Sequence, residues 1–174
     1  ITITVTNVTS VSKAVTQFEW SGFGAGGRFV AVSASGSQYS KDAITWTAGG
    51  ALPTGSYRAV AGGVVSSVTT YVATATGGTQ SAKSVDGGAT WTAGGALPAS
   101  TNWEAVTYGN GIFVAVAGGA STTSNYSAYS TNGGTSWTSA NLPATSGWMD
   151  VTYGAGKFVT IARAGTNVAY STNG

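Results

Sequence analysis

Five carboxylates are the natural candidates for chemistry in this 174-residue chain: Glu19, Asp42, Asp86, Glu104 and Asp150. They act without the usual helpers, because the sequence has no histidine and no cysteine. That removes imidazole and thiolate metal sites, cysteine nucleophiles and any serine–histidine–aspartate triad together. A two-carboxylate glycosidase needs its pair about 5 to 9 Å apart. Glu19 and Glu104 could meet, but nothing in their spacing argues that they do. Three arginines, Arg28, Arg58 and Arg163, could clamp an anionic substrate, yet they hold three different places in the repeat described below. No dense aspartate run of the calcium-loop type is present, so no metal is expected, and no cofactor. Gly24-Ala25-Gly26-Gly27 precedes a strand and not a helix, which makes it a turn and not a phosphate cradle. No catalytic residue is assigned.

The elements that must position these groups are set by a repeat. Leu52-Pro53, Leu97-Pro98 and Leu142-Pro143 are each 45 residues apart. Trp46, Trp91 and Trp137 keep the same register, as do Phe18, Tyr57, Trp103 and Trp148, and a further series Phe29, Tyr71, Phe113 and Phe158. Each unit reads as short β-rich runs divided by Asn-Gly and Gly-Gly turns, the signature of hairpins. No stretch has a helical period. The expected unit is a four-stranded antiparallel meander, strands A to D, in four repeats over residues 18–55, 56–101, 102–147 and 148–174, the last lacking strand D. Runs such as Phe29-Val30-Ala31-Val32 are apolar on successive residues, so both faces of the sheet should be covered. Sheets stacked face to face in this way predict an all-β, propeller-type array.

A turn motif recurs between strands C and D. Ser84, Asp86, Gly88 and Trp91 define its fullest copy. Ser130, Asn132, Gly134 and Trp137 repeat it, Ser40, Asp42 and Trp46 give a shortened form, and Ser171 and Asn173 begin a fourth. The Asp or Asn side chain should accept backbone N–H groups across the turn, with glycine supplying positive φ and tryptophan plugging the gap between sheets. This pattern resembles the Asp-box, or BNR repeat, of sialidase-like propellers. The resemblance implies a propeller fold. A sialidase-like site would further require a convergent arginine cluster, a tyrosine nucleophile with a glutamate partner and an aspartate acid/base, and the arginines here are not placed for it. The same repeat occurs in enzymes, sorting receptors, photosystem assembly factors and phage or surface proteins.

Glu19, Arg58 and Glu104 occupy one strand-A position, with Met149 in the fourth unit. They are the candidate binding residues, as a polar ring or, more simply, as an ion pair on a solvated rim. Tyr126 joins them, because it and Tyr39 fall in or near loops before strand C while most aromatic residues sit at packing landmarks. Residues 1–17 open with Ile1-Thr2-Ile3-Thr4-Val5-Thr6, a strictly alternating strand able to complete the last sheet within one molecule or between two. The third alternative is a longer chain in which further blades follow, and a larger chain or a ring closed by assembly is favoured over self-closure. A first residue of Ile1 suits a processed chain or a piece of a longer one.

Composition narrows the partners. Charged residues are 7% of the chain, seven Lys/Arg against five Asp/Glu. No basic cluster fits nucleic acid, and no apolar run approaches the roughly 20 residues of a membrane span. With few charges to deter edge pairing, self-association or packing with other structural subunits is expected, and a glycan is a further candidate ligand. The overall expectation is a non-enzymatic structural or adhesive module of an extracellular or virion assembly, such as a phage tail or fibre. The alternatives are a fragment of a sialidase-like glycoside hydrolase and an assembly-factor propeller that holds a partner protein.

Overall fold

The computed structural model describes residues 27–119, 123–163 and 167–174. Among these residues there is no helix, and the strands follow the repeat. The first sheet is β1 (Phe29–Ser33), β2 (Gly36–Ser40) and β3 (Thr47–Ala48). The second is β4 (Ser56–Val65), β5 (Val68–Thr76), β6 (Ser81–Ser84) and β7 (Thr92–Ala93). The third is β8 (Trp103–Gly109), β9 (Ile112–Ala117), β10 (Ser124–Ser130) and β11 (Thr138–Ser146). The fourth is β12 (Trp148–Gly154), β13 (Lys157–Ala162) and β14 (Val168–Ser171). Each sheet is an antiparallel meander in simple chain order, and the second and third are complete four-stranded blades. Among the described residues the fourth has three strands, β12, β13 and β14, in keeping with the incomplete last repeat. Strand A of the first unit, Glu19 and the alternating segment in residues 1–17 lie outside the described residues.

The sheets lie side by side with strands β1, β4, β8 and β12 meeting between neighbours, so the A strands line the inner edge of the second to fourth blades. Three apolar clusters mark the three joints. The first sets Val30 of one blade against Tyr71, Ala73, Ala82 and Trp91 of the next. The second packs Ala61 and Val72 against Trp103 and Phe113, and the third packs Val114 and Val116 against Val151 and Phe158. Strand B therefore is apolar on both faces because each face meets a different blade. The inner strands approach closely at glycine: the Tyr108 ring lies over Gly63, and the Tyr153 ring lies over Gly109. A β-carbon at either site would enter the ring.

Two local departures from the repeat are informative. The third D strand, β11, runs on through Leu142-Pro143 where β3 and β7 stop after two residues. Its segment from Trp137 to Leu142 is one residue shorter than Trp91 to Leu97, and a register shift in the β10–β11 pairing between Ser124 and Tyr126 accommodates it. Pro143 is tolerated because β11 is the outer strand of its sheet. The shortened first box turns at Ala43, which takes φ 59° where the full copies use glycine.

Candidate functional site

The box turns are built as small closed networks. In the second blade Ser84 Oγ donates to Asp86 Oδ1 at 2.8 Å and accepts the Gly88 N–H at 2.8 Å. Asp86 also takes the Thr90 N–H at 2.9 Å and the Thr90 hydroxyl at 2.6 Å. Asn132 substitutes without loss, because its Oδ1 accepts Ser130 Oγ at 3.0 Å and the Ser136 N–H at 2.9 Å while its amide donates to Ser136 Oγ at 2.9 Å. The first copy closes with the Ala43 N–H on Ser40 Oγ at 2.9 Å and the Ile44 and Thr45 N–H groups on Asp42 at 2.8 and 2.7 Å. Ser171 Oγ donates to Asn173 at 2.9 Å in the fourth. The leading serine thus works on both sides of the turn, a role that its spacing alone does not announce.

Each turn then locks onto the blade before it. Gly88, Gly134 and Gly174 sit against Val30, Val72 and Val114, one glycine per joint. The Trp91 indole donates to Ser37 Oγ at 2.9 Å and the Trp137 indole to Ser81 Oγ at 3.2 Å, both across a joint. Gly50 and Gly95 N–H groups add inter-blade bonds of 2.8 Å to the carbonyls of Ala89 and Gly134. Trp46 differs, since its indole bonds the Ala43 carbonyl of its own turn at 3.2 Å.

These carboxyls titrate as their surroundings dictate. The N–H groups of Thr45 and Ile44, with the Ser40 hydroxyl, hold Asp42 down at about 2. Asp86 is partly desolvated, which raises it, but the bonds from Thr90 and Ser84 outweigh this and leave it lowered. Neither is available for proton transfer near neutrality.

The opposite end of the sheets carries the other charges. Arg58 and Glu104 begin the A strands of neighbouring blades and form an ion pair through Arg58 Nε and Glu104 Oε2. The ion pair expected on the rim is present and Arg58 is partly exposed, but the pair is not a solvated one: Glu104 is 8% exposed, with Gly119 packed against its side chain. Burial pushes its carboxyl above the usual range, and the Arg58 charge pulls against that. Tyr126 opens β10 at the same end and is exposed, as the sequence suggests. Tyr39 is not exposed: it is half-buried beneath the Arg28 guanidinium, 4.5 Å from the ring centre. Arg28 lies at the box end, where it donates to the Asp86 carbonyl at 3.3 Å, whereas Arg58 and Arg163 sit at the other end in different blades. The three arginines therefore do not form one clamp. Tyr170, exposed on β14, was missed by sequence reasoning because it sits in a register where Tyr39 and Tyr129 are packed by a following blade. Among the described residues no group of three or more acidic side chains is placed to hold a metal, and no helix is long and apolar enough to cross a membrane.

No family model matches the chain, and no curated protein does. Solved structures do match in fold. One is the crystal structure of a GH74 enzyme from Niastella koreensis, at 24% identity and a TM-score of 0.60 over 84% of this chain and 21% of that one. The chain thus spans about a fifth of the length of that enzyme. The likeness is one of architecture: an all-β, propeller-type array of antiparallel meander blades.

Proposed function

We propose that this chain is a non-enzymatic propeller module of the Asp-box kind, a structural or adhesive part of an extracellular or virion assembly. The observation that carries the reading is a division between the two ends of the sheets. One end is consumed by box turns that fasten blade to blade. The other sets the Arg58–Glu104 pair and the exposed Tyr126 on a rigid frame, a combination suited to stacking on a sugar ring and hydrogen-bonding its hydroxyls. Self-association or packing with other subunits belongs to the same reading. Ile161, Val168 and Tyr170 project from one exposed face of the fourth sheet, a patch of the kind that marks a contact surface.

A glycan array followed by calorimetry on the best ligand tests this. Tyr126→Ala should weaken binding by about tenfold, the scale of one lost aromatic contact, with the fold unchanged. Binding that is indifferent to Tyr126→Ala and Arg58→Ala would remove the display face from the account. The second reading, a piece of a glycoside hydrolase, is favoured by the raised Glu104 carboxyl, since burial of this sort prepares an acid for proton donation. Turnover of any glycoside, lost in Glu104→Gln, would establish that reading in place of the first.

A further inference from the structure

We propose that Asn110-Gly111, the turn between β8 and β9, is a self-modification site at which the folded protein converts asparagine to aspartate and isoaspartate, while the same dipeptide at Asn132-Gly133 is protected by its box. The inference stands apart from the display reading above, because it concerns the opposite end of the sheets and needs no ligand.

The chemistry is that of the dipeptide. The Gly111 amide nitrogen gives its proton to hydroxide and attacks Asn110 Cγ. A C–N bond forms, the side-chain nitrogen takes a proton from water and leaves as ammonia, and a cyclic imide closes. Water then adds at one of the two imide carbonyls. Cleavage of the Cγ–N bond leaves aspartate with the chain path unchanged. Cleavage of the backbone C–N bond leaves isoaspartate, whose main chain runs through Cγ. One water is consumed and one ammonia released, with no change of oxidation state. Glycine favours the attack because no side chain flanks its nitrogen.

The fold sets the two copies apart. Asn110 and Gly111 are both exposed, and a β-carbon on Gly111 would meet nothing within 4 Å. Among the described residues the Asn110 amide has no hydrogen-bond partner, and the Gly111 N–H donates to no carbonyl. The loop is the two-residue type that Asn-Gly favours, closed by Gly109 and Ile112. Isoaspartate there would lengthen the main chain by one carbon and disturb that pairing. Asn132 is held instead: its Oδ1 accepts Ser130 Oγ and the Ser136 N–H, and its amide donates to Ser136 Oγ. Attack at its Cγ makes that carbon tetrahedral, displaces Oδ1 from both donors and expels the nitrogen that holds Ser136. The reaction therefore works against all three bonds, which slows it by about a hundredfold. Gly133 is also buried against Thr70 of the neighbouring blade, away from the hydroxide and water that the reaction uses.

The test is incubation of the folded protein at mildly alkaline pH in heavy-oxygen water. Mass spectrometry of chymotryptic peptides reads one heavy oxygen gained at each converted asparagine, and retention separates aspartate from isoaspartate. Asn110 is expected to convert about a hundredfold faster than Asn132, and the two rates should become similar in urea-unfolded protein. Ser136→Ala removes the hydroxyl that holds the Asn132 amide. It should speed conversion at Asn132 by about three- to tenfold, with the Asn110 rate and the circular dichroism unchanged. Equal rates at the two asparagines in the folded protein, or conversion of Asn110 only after unfolding, overturn the proposal. So does a gap that persists in urea, which would trace it to the flanking sequence, or a Ser136→Ala variant in which Asn132 converts no faster.

Discussion

At the residue scale the box carboxylates and Glu104 respond to pH in opposite senses. Asp42 is held at about 2 in the fold against an ordinary value near 3.8, so its contribution to stability is complete above the ordinary value. It is lost as pH falls through about 2. Glu104 is raised, so its ionisation in the fold is disfavoured and stability declines as pH rises past the ordinary glutamate value. Carbon-detected NMR titration should place the Asp42 midpoint near 2 and the Glu104 midpoint above 4.5, with Arg58→Ala moving Glu104 further upward. A Glu104 midpoint that falls in Arg58→Ala would show that the arginine does not act as a counter-charge. The tryptophan wedge offers a second measurement. Trp91→Ala removes a buried indole and should cost about 3–5 kcal/mol in urea unfolding. Trp91→Phe keeps most of the packing, and its coupling to Ser37→Ala in a double-mutant cycle should be about 1 kcal/mol, one net hydrogen bond. Additive effects of the two substitutions would show that the 2.9 Å contact adds nothing to the joint.

At the element scale the strands were legible because the signals that make them are local. Asn110-Gly111 between β8 and β9 turns with φ of 49° and 83°, which is what the dipeptide announces. The boxes were legible for the same reason, since Asp86 and Thr90 are four residues apart. What escaped was set by neighbours in space. Tyr39 and Tyr170 occupy one repeat position, yet the first lies under Arg28 beside the second blade and the second is open to solvent. Glu104 looked like a solvated rim charge because no sequence rule places Gly119 against it. The same dependence on neighbours gives a paired prediction. Gly109 and Gly154 end strand A in successive blades, but only Gly109 lies under a ring, that of Tyr153. Gly109→Ala should cost about 1–3 kcal/mol through overpacking. Gly154→Ala, with nothing within 4 Å of the added carbon, should be neutral or slightly stabilising in the same urea titration. Equal effects at both sites would mean that the inner strands do not pack as described.

At the scale of the whole molecule, stability should be graded along the array and not uniform. Among the described residues the main contacts run between neighbouring blades, so the free energy is close to a sum of blade and joint contributions. The second and third blades have a joint on each side and four strands apiece, and their residues Val72, Ala73, Trp103, Val106, Phe113 and Ala115 are wholly buried or nearly so. The fourth blade has one filled face, three strands and an exposed Ile161, Val168 and Tyr170. Amide exchange should therefore be slowest in β5, β8 and β9, faster in β13, and fastest in β14, whose outer edge bonds to no strand among the described residues. The order, more than any single rate, follows from the architecture: burial falls away from the central joint, and opening the last blade disturbs one joint where opening a middle blade disturbs two. If Trp103 and Phe113 exchanged no more slowly than Tyr170, the central joint would not hold the array together. The exchange pattern thus links the packing of individual indoles to the cohesion of the chain.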